Sequence, residues 1–432
     1  MALRILFSVL LLTAAWSLSA QDVPEPAPAQ TQPILLKGGT LHTGTGEVIV
    51  GDLLLTEGKI AAIGNFPSPG TEAQVIDCAG KHVYPGLIAP STQIGLDEIE
   101  AVRATEDKSE VGLVNPNARS IIAYNTDSRV TPTVRSNGIL LAQVAPIGGL
   151  FAGTSSVVQL DAWNYEDAAY QMDDAVHLYW PRMRLYDAWW APPKEEQLKR
   201  RKRRLEQVET AMTQAKAYLA AREKGRLEKT DLRWEAMVPL LKKEIPIFLH
   251  AESEQQIAAA LAFKLKHDLK MVLVGGQDAW LFTEQLKQYE IPVILHKPHS
   301  LPRTEDDDVD ISFKRARLLH EAGVLVALSM NDFWNQRNLP FQAGTVAAYG
   351  VPKEVALQMI TLHTAQILGI AERTGSLEVG KDANVLVSAG DLLDMRTSRV
   401  EHAFIQGRKI DLGNKQKDLY DKFSAKYRAA GK

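Results

Sequence analysis

The sequence predicts an α/β protein: a (β/α)8 TIM-like barrel with a small flanking β-sandwich domain formed from both chain ends. Three observations carry this. Residues 34–84 hold short apolar runs broken by Gly turns, as a strand meander would. The middle of the chain alternates strand-like runs with helical patterns eight times. Strand-like material then returns at Ala383–Ser388 and Val400–Lys409.

The eight central runs are Leu87–Ile94, Gly138–Val144, Ser155–Leu160, Ala175–Tyr179, Ile245–His250, Met271–Gly275, Pro292–His296 and Leu325–Ser329. Together they divide the chain into a β domain at 34–84, a barrel at 85–372, a second part of the β domain at 373–412 and a C-terminal tail at 413–432. A charged helical insertion stands at about 194–229, between the fourth and fifth barrel strands. Its apolar residues Leu198, Leu205, Val208, Met212, Ala215 and Leu219 fall on one helix face. The basic run Lys199–Arg204 reads as the solvated side of that helix. The insertion is the expected contact for a second copy of the chain or a paralogue, either as an antiparallel arm or as a docking face.

Residues 1–20 read as an export signal: Arg4, the apolar run Ile5–Trp16, then Leu18-Ser19-Ala20 as a small-residue cleavage site. The run is shorter than the roughly 20 apolar residues that span a bilayer, so no stable membrane anchor is expected. Residues 21–33, rich in Pro, Ala and Gln, are expected to form a flexible leader. The product is therefore expected outside the cytosol, periplasmic or secreted. Cys78 is the only cysteine, which excludes an internal disulfide. A net charge of -3 gives no electrostatic case for nucleic acid as a partner.

Two motifs carry a family likeness. Tyr84-Pro85-Gly86-Leu87-Ile88 resembles the approach to the first barrel strand of the amidohydrolase superfamily of metal-dependent hydrolases. Gly375–Asn384, with the preceding Thr361–Gly369, resembles that superfamily's return from barrel to β domain. The likeness spans about residues 34–412 and is nearest to the imidazolonepropionase-like subgroup. It implies hydrolysis of C–N bonds, in cyclic amides or related compounds, with zinc or another divalent metal at the C-terminal mouth of the barrel. The implied ligands are a His-x-His at strand one, often a Lys at strand four, His at strands five and six, and an Asp at strand eight.

Residue by residue, the match thins. Ser91 and Gln93 stand at the strand-one positions, His177 near the strand-four position, Gly275 at strand six and Asn331 at strand eight. His250 alone keeps its place. A catalytic zinc takes about three protein ligands plus an open position. His177 and His250 are thus the remaining candidate metal ligands, and the residues themselves assign no cofactor. His250 with Asp332 is the candidate acid–base pair. Gln93, His296, Asn331, Trp334 and Arg337 are the candidate substrate contacts, because strand ends and their loops form the mouth of such a barrel. The site is expected to take a neutral, polar small molecule. The two functional readings are a C–N hydrolase with a reduced, rebuilt or absent metal site, and an inactive barrel that binds a small molecule or an active paralogue.

Overall fold

A computed structural model describes residues 25–67, 72–303 and 305–429. The export signal and the first part of the leader lie outside the described residues. Among those described, no helix is long and apolar enough to cross a membrane.

The two chain ends meet in one continuous sheet. Its strands are β1 (Ile34–His42), β2 (Val48–Thr56), β3 (Lys59–Gly64), β4 (Gln74–Asp77), β5 (His82–Pro85), β14 (Val385–Ser388), β15 (Val400–Ile405) and β16 (Arg408–Lys409). The order is β16-β15-β14-β5-β1-β2-β3, with β4 paired to β1. The seam between the two ends is the antiparallel pair β5–β14, in which Tyr84 lies opposite Leu386. Leu36, Leu41, Leu53, Val83, Val385 and Phe404 share one buried apolar cluster, and Cys78 lies inside it. Burial raises the Cys78 thiol to about 11, which suits an inert packing residue.

The barrel strands are β6 (Leu87–Thr92), β7 (Ile139–Val144), β8 (Phe151–Gln159), β9 (Ala169–Tyr179), β10 (Ile247–Ala251), β11 (Met271–Gly275), β12 (Val293–His296) and β13 (Val326–Ser329). They follow one another in chain order around the sheet. Each overlaps one of the eight runs read from the sequence. Inside, Ile88, Leu141, Val157, Phe248, Val272, Ile294 and Ala327 pack together with Ile367 and Leu368. Filled this way, the barrel is a solid core rather than a pore.

Two details depart from a regular (β/α)8 plan. Strand β8 runs antiparallel to both neighbours, β7 and β9. Only a short loop separates Val144 from Phe151, too short for a crossover helix, and Gly148 and Gly149 turn it with φ of 90° and 65°. The second departure is the seam between β13 and β6, which carries no strand ladder in the sheet. Residues Met359 and Ile360 lie in it, accepting from Leu328 N (3.1 Å) and Ile88 N (2.9 Å). At the mouth end two hydroxyls close it: Ser329 Oγ donates to Pro90 O (2.7 Å) and Thr92 Oγ1 to Asp332 O (2.9 Å).

Two sequence expectations need correction. Residues 25–33 do not hang free. Ala27 N donates to Asp161 (2.9 Å), Arg408 Nη1 donates to Ala27 O (3.0 Å), and Gln30 bridges Leu55 O and Gly58 N. Composition hid this, because the anchoring partners lie far along the chain. The insertion is not an arm: it is a helix, Lys194–Glu223, that lays Val208, Ala211, Met212 and Ala215 on the barrel's outer core. It is the crossover between β9 and β10, lengthened by a charged N-terminal half. The C-terminal tail is a helix as well, Lys415–Ala429, with no buried residue.

Candidate active site at the barrel mouth

Strand periodicity delivers the imidazoles. Phe248 of β10 faces the inner core, so His250, two residues on, faces the same way at the end of its strand. His177 on β9 and His296 on β12 follow the same rule, two residues past Ala175 and Ile294. His177 Nδ1 lies 2.9 Å from His250 Nε2, one ring donating and the other accepting. The His250 ring stacks on Tyr179 with centroids 3.9 Å apart, and His296 stands 6.5 Å from it. His177 is fully buried, and loss of hydration holds its pKa down to about 3. His250 is likewise held well below the usual range, first by burial and then by its two imidazole neighbours. Both rings are neutral at pH 7.

One residue of this site escaped the sequence reading: Glu252. It follows β10 by one residue, and its Oε1 accepts from His296 Nδ1 at 3.3 Å. Its carboxylate lies where a side chain at position 275 would begin. A Cβ at position 275 would collide with Glu252 Oε1. The local chain holds Glu252 there through a capping box, in which Ser253 and Gln256 start the helix Glu254–His267. Gln256 Oε1 accepts from Glu252 N (3.3 Å), and its Nε2 donates to Trp180 O (3.2 Å), tying together the loops after β9 and β10. The signal was present as Ser253-Glu254-Gln255-Gln256 beside a strand end whose facing position is glycine.

The other side of the mouth is a closed polar network. Gln143 Oε1 accepts from Ser91 N (3.0 Å), Gln143 Nε2 donates to Asp174 Oδ2 (2.6 Å), and Ser155 Oγ donates to Asp174 Oδ1 (2.7 Å). Burial raises Asp174 to about 6 despite these donors. Ser91 and Asn331 both take positive φ, 49° and 46°, where their strands end.

The remaining predicted residues divide. Gln93 is buried, and its Nε2 makes no hydrogen bond among the described residues; the same holds for Ser91 Oγ, His177 Nε2 and His296 Nε2. Asn331 is part-buried, and its backbone N–H donates to Ser329 Oγ. Asp332 is not paired with His250. Its carboxylate accepts from Trp334 N (2.7 Å), Asn335 N (2.9 Å) and Asn335 Nδ2 (2.8 Å), capping the turn that follows β13. Trp334 and Arg337 engage each other: the guanidinium lies 4.9 Å from the ring centroid and donates to Trp334 O (2.6 Å). Among the described residues no hydrogen bond or ring contact joins either to the imidazoles. Among the described residues, too, no three His, Cys, Asp or Glu side chains converge as a metal-holding group.

Residues 150–410 match the amidohydrolase family. The chain is 42% identical over 81 residues to a D-hydantoinase of Geobacillus stearothermophilus, which is 18% of this chain and 16% of that protein. It is 20% identical over 396 residues to amidohydrolase tasK of Hapsidospora irregularis, 82% of this chain but 39% of the relative. The chain thus spans well under half the length of either curated relative. Among solved structures, an amidohydrolase from Thermotoga maritima MSB8 superposes with a TM-score of 0.78 at 25% identity, covering 88% of this chain and 99% of that one. An adenosine deaminase from Xanthomonas campestris solved with bound zinc shares the fold, with a TM-score of 0.50 at 14% identity over 95% of this chain and 100% of that one. With more than half its length matched, its sheet order and its barrel mouth in place, this chain belongs to the amidohydrolase family.

Proposed function

We propose that the protein hydrolyses a C–N bond in a small polar molecule at the barrel mouth, with His296 as general base and Glu252 as the residue that orients it. The observation that carries the reading is the Glu252–His296 contact: the carboxylate takes Nδ1 at 3.3 Å, while the buried Nε2 has no partner among the described residues. A carboxylate on one imidazole nitrogen selects the tautomer whose other nitrogen can accept a proton, here from a water attacking an acyl carbon. The neutral His250 and His177 then offer hydrogen bonds to the substrate without competing for that proton. Gln93 and Ser91 add unused donors at the same rim. A relative named as a hydantoinase makes a five-membered cyclic amide the first substrate to try.

Family members commonly use divalent metals such as zinc, and the donor set here argues against a family-type paired centre. His177 and His250 use nitrogens on each other, position 275 has no side chain, and the Asp332 carboxylate is taken up by its own loop. What a metal would supply, a polarised carbonyl and a bound hydroxide, is on this reading left to hydrogen bonds and His296. A second reading, a barrel that binds without turnover, draws on the same orphan polar atoms, since they serve a bound ligand equally well.

The deciding experiment measures ring opening of hydantoin and dihydrouracil by purified protein, with and without a chelator. Turnover that survives chelation and falls by about 100-fold or more in His296→Gln supports the proposal. Turnover that is lost on chelation and indifferent to His296→Gln would sink it. Saturable binding without any turnover would favour the second reading.

A further inference from the structure

We infer that the protein carries a second binding site, for a small polyanion, in an arginine-lined pocket beside the barrel mouth. The pocket lies between residues 181–192, which leave the end of β9, and the first turns of the helix Lys194–Glu223. Its volume is about 440 Å³, the size of a small-molecule site. Helical spacing explains one wall: Gln197, Arg200, Arg201 and Arg204 recur at three- and four-residue intervals and share a face. The opposite wall brings Arg182 and Arg184, which a reading of the basic run Lys199–Arg204 alone would not connect with it.

The loop is held in place by the helix. Gln197 Oε1 accepts from Tyr186 N (3.0 Å), and its Nε2 donates to Tyr186 O (2.8 Å) and Pro192 O (2.6 Å). Arg201 Nη1 donates to Met183 O (2.6 Å). Among the described residues, the lining thereby gathers five guanidinium groups and no carboxylate. Arg200 pairs with Glu196 outside the lining, and Arg184 lies over the Tyr186 ring at 6.0 Å. Arg182 and Arg204 have no acidic partner among the described residues.

Such a cluster repels itself unless an anion joins it. It is unusual within this chain, whose acidic residues outnumber the basic ones, 52 to 49. Every cation of the lining is an arginine; Lys199 and Lys202 are not in it, and helical spacing puts them on the opposite side of the helix. Guanidinium forks bind carboxylates and phosphates through paired hydrogen bonds, which an ammonium cannot do. Tyr186 and Trp190, with ring centroids 5.4 Å apart, add an aromatic wall. The ligand class that fits is a small molecule with at least two carboxylate or phosphate groups on a planar or apolar body. Enclosure on two sides favours this over a broad anionic surface such as a membrane or a duplex.

The test is calorimetry on the full chain with inorganic pyrophosphate and with citrate, in about 0.1 M salt where surface charge is screened. One-to-one saturable binding of either probe is expected, and the better of the two tells phosphate from carboxylate chemistry. Arg182→Gln/Arg204→Gln should weaken binding about tenfold or more. Lys199→Gln/Lys202→Gln removes the same charge from the outer helix side and should change it by less than about twofold. Arg204→Lys, which preserves charge and fold, should also weaken binding, because it loses the fork. The site is rejected if neither probe binds, if both double variants weaken binding equally, or if a DNA duplex or anionic vesicle binds while neither probe does. These readouts do not involve turnover, so they stand or fall separately from the barrel chemistry.

Discussion

Two pairs of histidines in this molecule look alike and do different work. At the junction of sheet and barrel, His42 Nε2 meets His82 Nδ1 at 3.0 Å, and His42 stacks on Tyr84 with centroids 4.3 Å apart. At the barrel mouth, His177 meets His250 at 2.9 Å, and His250 stacks on Tyr179. The difference lies in what completes each pair. His42 gives its other nitrogen to Glu354 Oε1 at 2.9 Å, which joins the β domain to a helix of the barrel. His177 keeps a buried nitrogen with no partner among the described residues. A buried polar group that the fold satisfies is a fastener, whereas one that it leaves unsatisfied is maintained at a cost and points to a ligand or water. Pairing geometry alone would not have separated the two.

The sharpest way to break this comparison is at Gly275. A methyl group there collides with the Glu252 carboxylate, at a backbone φ of 96° that disfavours any side chain. Gly275→Ala should displace Glu252 and lower kcat/KM by about 100-fold, the scale of a mispositioned general base, as steady-state ring-opening assays would reveal. Unchanged kcat/KM would mean that Glu252 does not set the orientation of His296.

A smaller effect separates the histidine pairs by stability. His42→Phe strands the Glu354 carboxylate and should cost about 2–3 kcal/mol in urea unfolding. His177→Phe/His250→Phe replaces both partners with apolar rings of similar shape and should change stability by less than about 1 kcal/mol at pH 7. The sign of the pH dependence follows from the depressed values at the mouth. Between about 3 and the unfolded value of 6.5, the unfolded chain binds protons that folded His177 refuses, so stability falls as pH drops through that window. The double variant should flatten this slope between pH 7 and 5. Equal costs for the two pairs, or an unchanged slope, would erase the distinction between them.

The smallest expected effect concerns Asp332. Asp332→Asn retains one acceptor for the capped turn and should cost about 1 kcal/mol, with activity reduced less than about tenfold. A loss approaching a thousandfold in kcat would restore the catalytic role that its sequence position suggested.

That suggestion shows where sequence reading ran out. His177, His250 and His296 were legible at the mouth because a strand of period two fixes which side chains face inward. Asp332 and Glu252 lie just past strand ends, where direction is set by the loop. The carboxylate of Asp332 turned back onto backbone N–H groups, while that of Glu252 turned inward over a glycine. The reversed β8 was nearer to legible, since Gly148-Gly149 in a short loop is a hairpin signal.

By itself the sequence determined the family, the eight inward-facing strands and the sheet shared by the two chain ends. These rest on local periodicity and on turn residues, which act over a few positions. Only the tertiary structure decided which polar groups found partners. The Glu252–His296 contact, the docking of residues 25–33 and the placing of Arg182 and Arg204 around one pocket all join segments whose side chains carry no mark of one another. Whether such a group is fastened or left open depends on what the fold happens to bring within about 3 Å, a distance at which hydrogen bonds form and charges lose their water.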